Sequence, residues 1–195
     1  MQHTIQQELK GVIAFVAAIW AVFVLDFVLP FDLNSFGLTP RTLTGLVGIP
    51  AMPFLHADLP HIVSNTLPIF ILLILLAGSK VNSWAVVLAV VLLGGVLLWL
   101  FGRPATHIGA SGLIFGLIAF LIVSGFLERR LVPLVISVIV TFFYGGSLLL
   151  GVVPRLGSHV SWDGHLFGAL AGAIIAYLLT RNSKPQTGTI EIADD

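Results

Sequence analysis

Ser111, in the run HIGASGLIFG, and His165, in the run GHLFGALAG, are two side chains whose types suit acyl-transfer chemistry. A serine hydroxyl attacks a carbonyl only when a neighbouring base takes its proton, and imidazole does so near neutral pH. A third polar group lies in HADLPHIVSN, where His56 and His61 are five residues apart and His61 and Asn65 four. Helical positions i and i+4 share a face, so His61 and Asn65 can aim donors at one point. Acyl transfer needs such donors, because its tetrahedral intermediate carries an oxyanion. A serine that opens a helix adds its own N–H, since the first amides of a helix lack intrahelical partners.

The elements that must position these groups lie in a membrane. Of 195 residues, 57% are hydrophobic and 9% charged, where a soluble domain carries about 25% charged residues. There is no cysteine, which removes disulfides and thiolate metal sites. Nine basic and nine acidic side chains leave no net charge, and hence no broad basic surface for nucleic acid. Six apolar stretches, near 11–29, 60–78, 84–101, 108–127, 131–151 and 164–180, approach the roughly 20 residues a spanning helix needs. The reading is all-α: a polytopic bundle of six transmembrane helices. Alternation with period two, the mark of a membrane barrel, is absent, and the first stretch is expected to be a retained helix, not a signal peptide.

With the N-terminus inside, the inner segments hold Lys10, Lys80, Arg129, Arg130, Arg181 and Lys184, and the outer ones Arg41, Arg103 and Arg155. That asymmetry favours cytoplasmic N- and C-termini in the cell membrane. The expected organisation is a short cytoplasmic segment (1–10), a six-helix membrane domain (11–181) and a polar cytoplasmic tail (182–195). Within the domain, residues 30–59 form a long outer loop, too apolar and too rich in Gly and Pro for a solvated linker and expected to lie partly in the interface.

In this topology every even-numbered span begins at the outer face. His56, His61 and Asn65 lie before or within the start of the second span, Ser111 near the start of the fourth and His165 near the start of the sixth. Polar groups in a span are costly and mark sites. Gly164, Gly168 and Gly172 recur every four residues with Ala169 beside them, and Gly112 and Gly116 repeat the spacing. Such small faces let helix axes approach closely, so the fourth and sixth spans are expected to touch and to bring Ser111 within hydrogen-bond reach of His165.

At these residues the sequence resembles the rhomboid family of intramembrane serine proteases. The resemblance rests on HADLPHIVSN, on GASG around Ser111 and on GHLFGALAG with His165, Gly168 and Gly172. It extends over all six spans, with the family's PR pair as Pro40 and Arg41. It implies Ser111 as nucleophile and His165 as general base, a dyad without a carboxylate. It further implies an oxyanion hole from His61, Asn65 and the Ser111 amide, His56 as a residue that fixes a loop, and Gly109 as the shaper of the turn into the serine. Gly112, Phe115 and Gly168 would support the site. Phe115 stands where some members have Tyr, and no Trp precedes Arg41. The implied activity is endopeptidase cleavage in or next to the transmembrane helices of membrane-protein substrates, within the lipid bilayer and without cofactor or metal.

Other readings compete. Ser111 and its glycines also suit helix packing alone, and His61 and Asn65 suit interhelical hydrogen bonding. Asp163 is two residues from His165, on a different helical face, and is not read as a triad member. Asp26 reads as an interfacial carboxylate, Tyr144 and Trp162 as interfacial or packing aromatics, and His107 and His159 as loop residues touching solvent. A zinc protease would need two histidines at i and i+4 with a glutamate between them, whereas the spacing here is five. An inactive rhomboid-like protein that binds membrane clients would be expected to lack the nucleophile or the base. Transporters tend to show paired broken helices and intramembrane charge.

Overall fold

The computed structural model describes residues 5–79, 81–154 and 161–182. Its helices are α1 (Ile5–Val28), the short α2 (Gly48–Ala51), α3 (Leu59–Ala77), α4 (Ser83–Phe101), α5 (Ser111–Glu128), α6 (Leu131–Gly151) and α7 (Trp162–Asn182). All but α2 are long and apolar enough to cross a membrane. The chain is an integral multi-pass membrane protein with a helical bundle fold. The fourth span was expected from about residue 108, but its helix opens at Ser111 itself. The expectations for Lys80, Arg155, His159, Lys184 and the tail from 183 fall outside the described residues.

Local sequence sets the helix ends. Asp58 and Asn82 cap α3 and α4 by accepting the N–H groups of His61 and Ala85, satisfying amides that have no carbonyl partner. At the far end of α5, Arg129 turns the chain in a left-handed conformation, with φ of 53°.

α5 is the central rod. It is apolar on every side and buried without a break from Gly112 to Leu121, as a helix enclosed by others must be. α7 and then α6 pack most extensively against it, and α4 packs on α7. α1 and α6 instead expose Phe27, Val28, Phe142, Phe143, Leu149 and Leu150, the surface that a lipid solvent favours.

Glycines set the α5–α7 separation. A Cβ on Gly168 would collide with the Gly112 carbonyl oxygen, and one on Gly172 with that of Gly116. The two backbones touch, as the four-residue glycine spacing implies, and α4 joins the seam at Gly94, where a Cβ would lie 3.4 Å from Gly168 Cα.

The long loop is more built than an interfacial drape. It contains α2 and single 3-10 turns at Leu33–Phe36, Thr44–Leu46 and Met52–Phe54. Leu43 and Val47 face outward, while Leu38, Ile49 and Met52 bury themselves against Leu98 of α4. Arg41 Nη1 donates to the carbonyls of Leu100 and Gly102 at 3.1 and 2.9 Å, and Trp99 Nε1 donates back to Thr42 O at 2.8 Å. The loop is thereby fastened to the end of α4, whose last carbonyls would otherwise lack partners.

Candidate active site

The turn at residues 107–110 delivers the serine, and the long loop holds that turn. His107 N–H donates to Leu38 O at 2.8 Å and Leu38 N–H to His107 O at 3.0 Å. Gly109 N–H donates to Met52 O at 2.9 Å, and Ala110 N–H to His56 Nε2 at 3.4 Å. Gly109 has φ of +106°, a conformation that a side chain strains. The hydrogen-bond ladder of α5 then begins with Ile114 N–H on Ala110 O. The Ser111 amide has no partner among the described residues. It therefore offers a free donor at a helix N-terminus, where the helix dipole also favours negative charge.

His61 and Asn65 follow from the cap of α3. Asp58 accepts the His61 N–H at 2.7 Å and Pro60 sits in the first turn, so the two side chains fall on successive turns of one face. A Cβ on Gly109 would lie 2.6 Å from His61 Nε2, which places that ring against the backbone two residues before Ser111. Asn65 is buried, and its Nδ2 donates to His61 O at 3.0 Å, leaving the second N–H of the amide for another acceptor.

His56 is 1% exposed, with its ring centroid 4.9 Å from that of His61. Its Nδ1 faces Phe54 O at 3.4 Å, and a carbonyl can only accept, so the hydrogen sits on Nδ1 and the lone pair of Nε2 receives Ala110. Burial, and secondarily the nearby His61, lower its pKa to about 4. A neutral His56 is what this bond requires.

His165 lies in the first turn of α7, buried, with Nδ1 3.0 Å from Gly151 O. The same logic assigns the hydrogen to Nδ1, and Nε2 is left as the basic atom. The Phe115 ring lies flat on the imidazole at a centroid distance of 4.0 Å and an angle of 9°. Phe115 is one turn after Ser111 on α5, so Ser111 and the stacking ring share a face, and that face is the one His165 meets. A Cβ on Gly112 would lie 3.3 Å from Gly164 O, bringing the first turns of α5 and α7 together beside the same two residues. Among the described residues, Ser111 Oγ and His165 Nε2 make no hydrogen bond to each other.

Residues expected elsewhere also have places. His107, expected to touch solvent, is 3% exposed, because its turn is roofed by the long loop and its ring bonds inward. Asp26, expected as an interfacial carboxylate, accepts from Leu33 N–H and Asn34 Nδ2. Asp163 faces Arg103. Among the described residues no three His, Cys, Asp or Glu side chains group as a metal site would need. Gly151 is the contact of His165 that sequence reasoning missed, for it is made through a backbone carbonyl.

The family model described as Rhomboid domain matches residues 43–182. Uncharacterized proteins of Mycobacterium tuberculosis and Mycobacterium bovis are 42% identical over 179 residues, covering 87% of this chain and 74% of theirs. An uncharacterized protein of Mycobacterium leprae is 39% identical over 194 residues, covering 94% of this chain and 76% of its own. With a family model that matches residues 43–182, most of the chain and all three segments that carry His56, His61, Asn65, Ser111 and His165, the chain belongs to the rhomboid family.

Proposed function

We propose that the protein is an intramembrane serine endopeptidase that cleaves peptide bonds in or beside the transmembrane helices of membrane proteins. The observation that carries the reading is the state of His165. Its Nδ1–H is held by Gly151 O and its face by Phe115, which leaves Nε2 as a base beside the first turn of α5. Ser111 Oγ attacks the scissile carbonyl while Nε2 takes its proton; His165 then protonates the departing amine, and water repeats the sequence on the acyl-enzyme. The Ser111 amide, His61 and the spare N–H of Asn65 face the oxyanion. No cofactor enters this chemistry. We place the protein in the cell membrane with both termini cytoplasmic and the site in the outer half of the bilayer, with residues 11–181 as the membrane domain.

One observation favours the other reading, an inactive rhomboid-like protein that binds membrane clients: the missing Ser111–His165 hydrogen bond. Catalytic hydrogen bonds in substrate-free sites are often long and tighten when substrate binds, so the protease reading stands ahead. Cleavage of a single-span test protein in proteoliposomes separates the two. The wild type should cut it while Ser111→Ala and His165→Ala do not; equal cleavage by wild type and Ser111→Ala would remove the nucleophile assignment.

A further inference from the structure

Arg103, His107, Ser161 and Asp163 form a second polar cluster, which the Ser–His chemistry leaves unused; His107 and Asp163 are buried and Arg103 and Ser161 partly so. Asp163 lies in the first turn of α7 and is 1% exposed. Its Oδ2 accepts from the Arg103 backbone N–H at 2.9 Å and from Nε at 3.3 Å, and its Oδ1 from Nη2 at 3.2 Å. The guanidinium also lies over the Trp162 ring, 5.3 Å from its centroid. His107 Nε2 stands 3.7 Å from Asp163 Oδ2 and 3.2 Å from Arg103 O; facing a carbonyl, it carries the hydrogen. The Ser161 hydroxyl lies 2.7 Å from His107 Nδ1 and 3.4 Å from Asp163 Oδ1, and accepts the Gly164 N–H at 3.2 Å.

A carboxylate buried in a membrane protein is costly, and pairing it with a guanidinium offsets only part of that cost, so packing alone does not account for the pair. Close packing here comes from the glycine seam. That seam fixes how far α5 and α7 stand apart, but bare backbone offers little to fix rotation about the axes. Hydrogen bonds to a carboxylate are directional and do fix it. Arg103 and His107 belong to the stretch that runs into Ser111; Ser161 and Asp163 belong to the stretch that runs into His165.

We propose that Arg103 and Asp163, braced by His107 and Ser161, are positioning residues that lock the rotation of the His165 turn against the Ser111 turn. The proposal rests on the Ser–His reading. The clasp makes no contact with the reacting atoms and acts through the backbone on both sides of them.

The test uses the full chain in proteoliposomes, with active sites counted by a fluorophosphonate so that the rate is read per folded, labelled site. Asp163→Asn and Arg103→Gln should each lower kcat per site about tenfold or more, with KM within about twofold, as a displaced base does. The double variant should be no slower than either single one, and Arg103→Lys should recover part of the rate. Arg130→Gln, which breaks the Glu128 pair at the other end of α5, should leave the rate unchanged. If a single variant fails to fold, the double variant, which buries no lone charge, together with Ser161→Ala gives the reading. Wild-type kcat per site in these variants, or losses that multiply in the double variant, would overturn the clasp. A failure of the dyad itself is distinct: Ser111→Ala would then cleave as the wild type does.

Discussion

At the scale of single residues, His165 is oriented by a backbone carbonyl where a triad would use a carboxylate. Gly151 O holds Nδ1 at 3.0 Å, and a Cβ on Gly151 would strike the Phe115 ring and stand 3.3 Å from Nδ1. Gly151→Ala must therefore move either the ring or the base. It should lower kcat about tenfold or more with KM nearly unchanged, measured on the single-span test protein; an unchanged kcat would detach Gly151 from the chemistry. His56 gives a prediction in pH. Its pKa is lowered to about 4 in the folded protein against about 6.5 unfolded, so the unfolded state binds more protons between these values. The stability it contributes is fully present above about pH 6.5 and is lost as pH falls towards 4, by roughly 3 kcal/mol. The physical event is loss of the acceptor at Nε2, with the His61 ring 4.9 Å away opposing the new charge. Thermal unfolding in detergent should drop more steeply between pH 7 and 4.5 for the wild type than for His56→Asn, and parallel curves would contradict this.

Among the elements, the decisive contact is the glycine seam between α5 and α7. A side chain at Gly168 would meet the Gly112 backbone, which has no rotamer to yield, so the axes must part. Gly168→Leu should separate Ser111 from His165 by on the order of 1 Å and cut kcat/KM roughly a hundredfold; cleavage within twofold of wild type would show that the seam does not set the dyad. This contact was legible in the sequence, because four-residue glycine spacing has a direct geometric meaning on a helix. So was the shared face of His61 and Asn65. The hold of the long loop on the serine turn was not. It runs through backbone pairs such as Leu38 with His107 and Gly109 with Met52, and main-chain hydrogen bonds between distant segments leave no side-chain pattern to read. For the same reason His107 was read as solvent-exposed and Gly151 was not singled out.

For the whole molecule, composition and six apolar stretches were enough to give the bundle and its order, since hydrophobic length is set by bilayer thickness. What the sequence left open was the layering: α5 enclosed, α1 and α6 outermost with exposed apolar side chains. Under the proposed activity, a site at the first turns of α5 and α7 would meet a substrate whose own helix hides its carbonyls in hydrogen bonds. The substrate must unwind locally, so a test protein with Gly or Pro near the scissile bond should be cleaved several-fold faster than one with a continuous Leu-rich helix. Equal rates would contradict the requirement. The central claim, that one hydroxyl and one imidazole from two spans act as a dyad, is tested most directly by fluorophosphonate labelling followed by peptide mass mapping. The adduct should fall on Ser111 in the wild type and be lost in both Ser111→Ala and His165→Ala; an adduct on another residue, or full labelling of Ser111 in His165→Ala, would contradict the dyad.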